Sequence, residues 1–344
     1  MMKKRIALVG LGMAVGPHAK SLVDLVDRVE VVTAISPSRQ RRETFAERFR
    51  FPVGDSLEPV LADPAIDAAA VLTPPNTHLE LVTRLARAGK HILLEKPLEV
   101  SSARAADLVE VCTAAGVSLG VVLQHRFKPA AERLAAVVGA GGLGQIVNAS
   151  TLIRLWRPQS YYDEPGRGSL ARDGGGVLLT QGIHTLDLLL SLVGPAVEVC
   201  GYATTSSLHR METEDLVSAA VRFQSGAFGI IEATTAAYPG GPEHIELIGS
   251  MGTASLAGTA LSIAYHDGRR EALAADASAG GTGADPMAFP HDYHLGVWRD
   301  FLAALDERRP PRVSGREALR VHLLIDALLA AGRSDRKVKV RSSP

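Results

Sequence analysis

Three short stretches of the chain carry residue types that can do chemistry on a small molecule. In the first, Gly10-Leu11-Gly12-Met13-Ala14-Val15-Gly16 follows the apolar run Ile6-Ala7-Leu8-Val9. There Gly10 permits a tight strand-to-helix turn. Gly12 lets the backbone approach a pyrophosphate on the helix N-terminus, where free N–H groups and the macrodipole favour an anion. With Met13 and Ala14 completing the turn, the stretch reads as a dinucleotide site, although a glycine-rich turn can be only a turn. The third glycine is displaced, because Val15 stands where G-x-G-x-x-G expects it and Gly16 follows. In the second stretch, Ile35-Ser36-Pro37-Ser38-Arg39, the Asp or Glu that usually accepts from adenosine ribose hydroxyls is missing. Ser36 and Ser38 offer donors instead. Arg39, Arg41 and Arg42 crowd a helix start, where positive charge opposes the macrodipole. A bound 2′-phosphate gives that arrangement a purpose, so NADP is expected ahead of NAD; the competing reading is a solvated basic helix start. The third stretch is double: Thr73-Pro74-Pro75-Asn76-Thr77-His78 and Glu95-Lys96-Pro97 each follow an apolar run. Both lie at carboxyl ends of expected strands, where open α/β sheets bind ligands. A lysine there can donate to a substrate oxygen and stabilise the charge that builds on it during hydride transfer. A surface lysine before a proline is the alternative.

The elements that must position these residues follow from periodicity. Short apolar runs at 6–9, 29–35, 68–72, 91–95 and 117–122 alternate with helix-length amphipathic segments such as 77–88, the pattern of a parallel sheet covered by helices. After residue 145 the rhythm changes. Runs at 146–155, 197–204, 216–223, 227–234 and 244–248 read as strands of a mostly antiparallel sheet, interrupted by one long helix at 177–193. Helices at 293–306 and 316–330 close the chain, and 274–286 reads as a mobile surface loop. A chain of 344 residues exceeds one ordinary core, so two domains are expected, 1–124 and 125–344.

Composition bounds the partners. Thirty-seven basic residues balance thirty-seven acidic ones, leaving no net field for nucleic acid or an anionic membrane surface. Cys112 and Cys200 have neither metal-ligand spacing nor the density of a disulfide framework, and read as buried free thiols of a reducing, cytoplasmic compartment. No metal is expected, since no cluster shows ligand spacing. The apolar run 186–193 is interrupted by Asp187 and Ser191 and closed by Gly194-Pro195, which argues against a membrane span.

The glycine turn ending at His18, T-P-P-N-T-H at 73–78, A-G-K-H-I-L-L-E-K-P-L at 88–98 and G-G-G-V-L-L-T-Q-G-I-H-T-L-D at 174–187 together resemble the Gfo/Idh/MocA family. The resemblance spans both halves. It implies an α/β protein: an N-terminal Rossmann doubly wound parallel sheet plus a C-terminal α/β domain with a large, mostly antiparallel open sheet. That sheet commonly forms a homodimer or homotetramer interface. It further implies that Lys96, often followed by a cis-proline, is the catalytic lysine and that His184 is its catalytic partner. The family usually places an aspartate four residues before that histidine; here the position is Thr180, with Gln181 next. A threonine hydroxyl can orient an imidazole or a substrate hydroxyl but holds no negative charge. On helical spacing Thr180 and His184 are expected on one face.

Cofactor contacts are expected from Gly10, Gly12, Met13, Ala14, Ser36, Ser38, Arg39, Thr73, Pro74, Pro75, Asn76, His78, Glu95, Lys96, Pro97 and Arg126. Substrate contacts are expected from Lys96, Arg157, Tyr161, Arg167, Gln181 and His184. The arginines suit a phosphate or carboxylate, though each can equally be a surface residue. Asp187 can contact substrate or tie its helix to a neighbour. The function expected is NAD(P)-dependent hydride transfer to or from a secondary alcohol or ketone of a sugar, sugar derivative or polyol. The alternative is a dinucleotide- and sugar-binding sensor of the same fold, suggested by loss of the aspartate.

Overall fold

The computed structural model describes residues 3–276, 290–334 and 336–342, so residues 277–286 of the expected loop lie outside the described residues. The chain forms two compact units, Met1–Gln124 with His291–Leu319, and His125–Pro290 with Arg320–Pro344. The segment His291–Leu319 lies with the first unit rather than the second. Its helix Asp292–Glu307 buries Tyr293, Val297, Trp298 and Phe301 and packs against the helix Val15–Asp24.

The first unit is built on strands β1 (Lys4–Val9), β2 (Val29–Ile35), β3 (Val53–Gly54), β4 (Ala68–Val71), β5 (His91–Glu95) and β6 (Leu119–Val122). They form one sheet in the order β3-β2-β1-β4-β5-β6, every neighbouring pair parallel. This is the Rossmann order. Strands covered on both faces must be apolar throughout, and Ala68–Val71 is buried at every residue. The two-residue β3 is too short to leave a periodic signal. Because β1, β4 and β5 are consecutive neighbours, their carboxyl ends set the glycine turn, Thr73–His78 and Lys96 along one edge of the sheet.

The second unit carries β7 (Ile146–Arg154), β8 (Ala196–Thr204), β9 (Leu216–Phe223), β10 (Phe228–Thr234), β11 (His244–Gly249), β12 (Gly252–Ala257), β13 (Ala260–Tyr265), β14 (Arg270–Leu273) and β15 (Val338–Lys339). The sheet order is β14-β13-β12-β11-β7-β10-β9-β8-β15. β7 and β10 run parallel and the remaining neighbours antiparallel. The helix Ile183–Val193 packs on β7, while Tyr202, Phe228 and Ile230 point to the open side at 72%, 61% and 50% exposure. Cys200 is exposed on β8, not buried as expected, because alternation turns it to that open side. Cys112 is buried, and burial pushes its thiol up to about 12. By length and composition alone the stretch Leu170–Val193, whose most apolar window has a mean hydropathy of 1.5, is long enough to cross a membrane. In this structure 78% of its most apolar window is buried inside the protein, as the core helix of a packed domain is.

Candidate active site

In the first unit β1 runs into Gly10 at φ +105°, where a Cβ would meet the Leu72 backbone and Thr73 side chain at 2.9 Å. Only glycine makes that turn beside β4. A Cβ on Gly12 would meet nothing within 4 Å. The helix Val15–Asp24 begins after Ala14 with no side-chain cap and no acidic residue in its first turn. No side chain therefore competes with a dinucleotide pyrophosphate for this helix end, where the Val15 N–H reaches the Gly12 carbonyl at 3.3 Å and Pro17 carries no N–H. Met13 is 63% exposed at the same turn. A Cβ on Gly16 would likewise meet nothing within 4 Å.

After β2, Ser36 is buried and its hydroxyl accepts from the Ser38 N–H at 3.3 Å, while Ser38 caps the helix Arg39–Phe49. The arginines divide. Arg42 donates to the Ser36 and Pro37 carbonyls at 2.6 and 3.1 Å, whereas Arg39 lies exposed, paired with Glu43 at 2.7 Å. An exposed i,i+4 pair is worth only a few tenths of a kcal/mol, so Arg39 is easily recruited by a phosphate.

After β4, Thr77 donates to Thr73 Oγ1 at 2.8 Å, and Pro74 and Asn76 are exposed. Pro75 starts a short 3₁₀ turn. His78 is fully buried, with Nε2 2.8 Å from the Thr73 carbonyl and Nδ1 3.1 Å from those of Pro97 and Leu98. It ties the loop after β4 to the loop after β5. Burial is the main reason its pKa is depressed, against those carbonyls and Glu99. After β5, Lys96 is half-buried before a cis Lys96–Pro97 bond, and Glu95 accepts from the Lys96 N–H at 3.0 Å.

In the second unit the Gly174-Gly175-Gly176 turn brings the chain under Glu214. A Cβ on Gly176 would lie 1.8 Å from the Glu214 carbonyl oxygen, and the Glu214 carboxylate accepts from the Gly176 and Leu178 N–H groups at 3.0 and 3.2 Å. One wide π-helical turn, Leu178–Gly182, then leads into the helix Ile183–Val193. That turn alters the simple i,i+4 register expected for Thr180 and His184. The Thr180 hydroxyl donates to the Gly176 carbonyl at 2.6 Å and also contacts Gln181 Oε1. Gln181 in turn donates to the Tyr161 hydroxyl at 3.4 Å. Arg167 stacks over the Tyr161 ring at 4.1 Å and Arg157 approaches it at 5.6 Å. Four expected substrate residues, Arg157, Tyr161, Arg167 and Gln181, are thus one cluster.

His184 is 8% exposed, with its ring 4.9 Å from that of His125. His125 Nδ1 lies 3.5 Å from Glu243 Oε2 and 3.4 Å from the Thr185 hydroxyl. Sequence reasoning singled out Arg126 and passed over His125; the signal was a second histidine within Gln124-His125-Arg126-Phe127. Arg126 forms a two-bond pair with Asp187, Nε to Oδ2 2.7 Å and Nη2 to Oδ1 2.6 Å. Asp187 therefore ties its helix to the segment 125–127.

A model described as an oxidoreductase family with an NAD-binding Rossmann fold matches residues 4–123, and the C-terminal domain model of the same family matches residues 131–255. The chain belongs to the Gfo/Idh/MocA family. It is similar to D-xylose 1-dehydrogenase (NADP+) 2 of Haloferax volcanii, 30% identical over 65% of this chain and 68% of that one. It is also similar to myo-inositol 2-dehydrogenase of Thermotoga maritima, 27% identical over 98% of both. Among solved structures, WlbA dehydrogenase of Bordetella pertussis, in complex with NADH and UDP-GlcNAcA, superposes with TM-score 0.84 at 28% identity, covering 99% of each chain. The protein is accordingly an NAD(P)-dependent oxidoreductase, with a parallel Rossmann sheet and a second, mostly antiparallel sheet.

Proposed function

We propose that this Gfo/Idh/MocA protein moves a hydride between nicotinamide and a secondary alcohol or ketone of a sugar, sugar derivative or polyol. The observation that carries the reading is the edge formed by three neighbouring strands, which sets the Gly10 turn, the Thr73–His78 loop and Lys96 side by side. When bound, the nicotinamide accepts or supplies the hydride. Gly10, Gly12, Met13 and Ala14 receive its pyrophosphate, and the loop residues Thr73, Pro74, Pro75 and Asn76 flank it. Lys96 stabilises the negative charge that builds on the substrate oxygen, and His184 exchanges the hydroxyl proton. Thr180 orients its neighbours, since its hydroxyl is already engaged with Gly176 and Gln181.

The preferred dinucleotide is NADP, because no acid follows β2 and Arg39 is exposed there. Arg157 and Arg167 around Tyr161 suit a substrate bearing a carboxylate or phosphate. The open face of the second sheet, with Tyr202, Phe228 and Ile230, supports a homodimer or homotetramer through that sheet. The test is a panel of neutral sugars, polyols, uronic acids and sugar nucleotides, followed by absorbance with both cofactors. Turnover of at least one secondary alcohol is expected. Dinucleotide and sugar binding with no turnover across the panel would favour a sensor instead.

A further inference from the structure

Four residues of the first unit meet behind Lys96. Glu95 is the last residue of β5, His18 lies on the helix Val15–Asp24, and His294 and Trp298 lie on the helix Asp292–Glu307. Their exposures are 8%, 0%, 3% and 0%. Glu95 Oε1 is 2.9 Å from His18 Nε2, and Oε2 accepts from the Lys96 backbone N–H at 3.0 Å. The Trp298 indole N–H donates to His18 Nδ1 at 3.1 Å. His294 stands edge-on to His18 at 5.0 Å between ring centroids, with Nε2 3.9 Å from Glu95 Oε1.

Donor and acceptor chemistry settles the order of this chain. An indole N–H can only donate, so His18 Nδ1 must present its lone pair and the ring proton sits on Nε2, facing a carboxylate that can only accept. The same constraint disposes of a metal. The ligand atoms of His18, Glu95 and His294 lie within 4.8 Å of one another, close enough for an ion. A metal on Nε2 would require the proton on Nδ1, opposite another donor, where metal-bound histidines need an acceptor. The Glu95 carboxyl is held below the ordinary carboxylate range; burial, the largest influence, opposes this, while the His18 hydrogen bond and the Lys96 charge favour the ionised form. His294 is pushed down to about 3, chiefly by burial, and so adds no charge near neutrality.

We infer that Trp298, His18 and Glu95 form a buried positioning relay that holds Lys96 through its backbone N–H and binds no metal. The inference rests on the role given to Lys96 above. Trp298 fixes the histidine tautomer, His18 fixes the carboxylate, and the carboxylate fixes the turn from which the lysine projects. Positioning of this kind acts on the chemical step more than on binding, because a small displacement of a group aimed at the reacting oxygen costs rate.

The test uses the full chain and four variants. His18→Leu fills the space without a donor, whereas His18→Gln returns an amide N–H toward Glu95. Trp298→Phe keeps the ring and removes the indole N–H, and Lys96→Ala tests the reading beneath. In long-range 1H–15N spectra the wild type should show His18 protonated at Nε2 and bare at Nδ1. The Lys96 amide proton should move upfield in His18→Leu and return in His18→Gln. With a substrate from the panel, His18→Leu should lose roughly ten- to a hundredfold in kcat, the scale of one hydrogen bond to a charged group, with KM and dinucleotide Kd nearly unchanged. His18→Gln should recover most of the loss. A core role without positioning predicts the reverse, Leu tolerated better than Gln. If His18→Leu does not fold, Trp298→Phe decides: a selective fall in kcat supports the relay, and wild-type kcat overturns it. Loss of turnover in Lys96→Ala with wild-type kcat in His18→Leu overturns the relay alone. Undiminished turnover in Lys96→Ala overturns the role of Lys96 and the relay with it. Stoichiometric zinc in the wild type that disappears in His18→Leu also overturns it.

Discussion

Asp187→Asn should cost the second unit about 3–5 kcal/mol, because it breaks a buried ion pair while leaving one charge behind. The side chains of Arg126 and Asp187 are 8% and 1% exposed, and both bonds of the fork are short, 2.7 and 2.6 Å. Asparagine keeps one acceptor, but its amide N–H₂ faces a guanidinium that can only donate, so a repulsive contact replaces one bond. Water cannot rescue the arginine at that depth. The double variant Arg126→Met/Asp187→Leu removes both charges and should recover to within about 2 kcal/mol of wild type, since paired desolvation costs vanish together. Guanidinium chloride denaturation followed by circular dichroism, with limited proteolysis to locate the unit that opens, measures both. A loss below about 1 kcal/mol in Asp187→Asn, on the scale of an exposed pair, would refute the assignment of this bridge as buried structure. Dinucleotide titration of the double variant adds a second reading: retained affinity frees Arg126 from the cofactor role its sequence position suggested.

NADPH should bind more tightly than NADH, and Arg39→Ala should erode the difference; fluorescence titration giving equal affinities removes the case. His184→Ala should cost about a hundredfold or more in kcat, the usual scale for a positioned acid or base, while Thr180→Val costs far less. Equal losses in the two variants would make the threonine hydroxyl a partner in proton transfer. Stability should fall on acidification from about pH 6.5 toward 3. Burial pushes the His294 imidazole down from its ordinary 6.5 to about 3 in the folded chain, so only the unfolded state takes up its proton across that window. Each such proton contributes a slope of about 1.4 kcal/mol per pH unit. Urea melts between pH 7 and 4 test this, and a flat profile contradicts a buried, uncharged His294.

The parallel sheet was legible because its strands are buried on both faces and read as unbroken apolar runs, as in Ala68–Val71. The outer strands of the second sheet were not. Gly252–Ala257 and Arg270–Leu273 each carry a single large apolar residue, Leu256 and Leu273, too few to leave an alternating signal. The places of the glycine turn and Lys96 at strand ends were legible, since each directly follows an apolar run. His18, Trp298 and His294 were invisible as a group, because residues nearly the length of the chain apart meet only through helix packing. The wide turn Leu178–Gly182 escaped for a different reason: its apolar pattern is that of an ordinary helix, and the Glu214 carboxylate that receives the Gly176 and Leu178 N–H groups comes from another segment.

The central claim is direct hydride transfer aided by Lys96, and the most direct measurement follows the hydrogen itself. Wild-type protein and Lys96→Ala are incubated with a ketone from the panel and nicotinamide dinucleotide deuterated at C4, and the product alcohol is analysed by mass spectrometry and NMR. The account predicts one deuterium at the new carbinol carbon, from one face of the nicotinamide, and a hundredfold or greater loss of rate in Lys96→Ala with dinucleotide binding retained. Solvent hydrogen at that carbon, or an undiminished rate without Lys96, would contradict it.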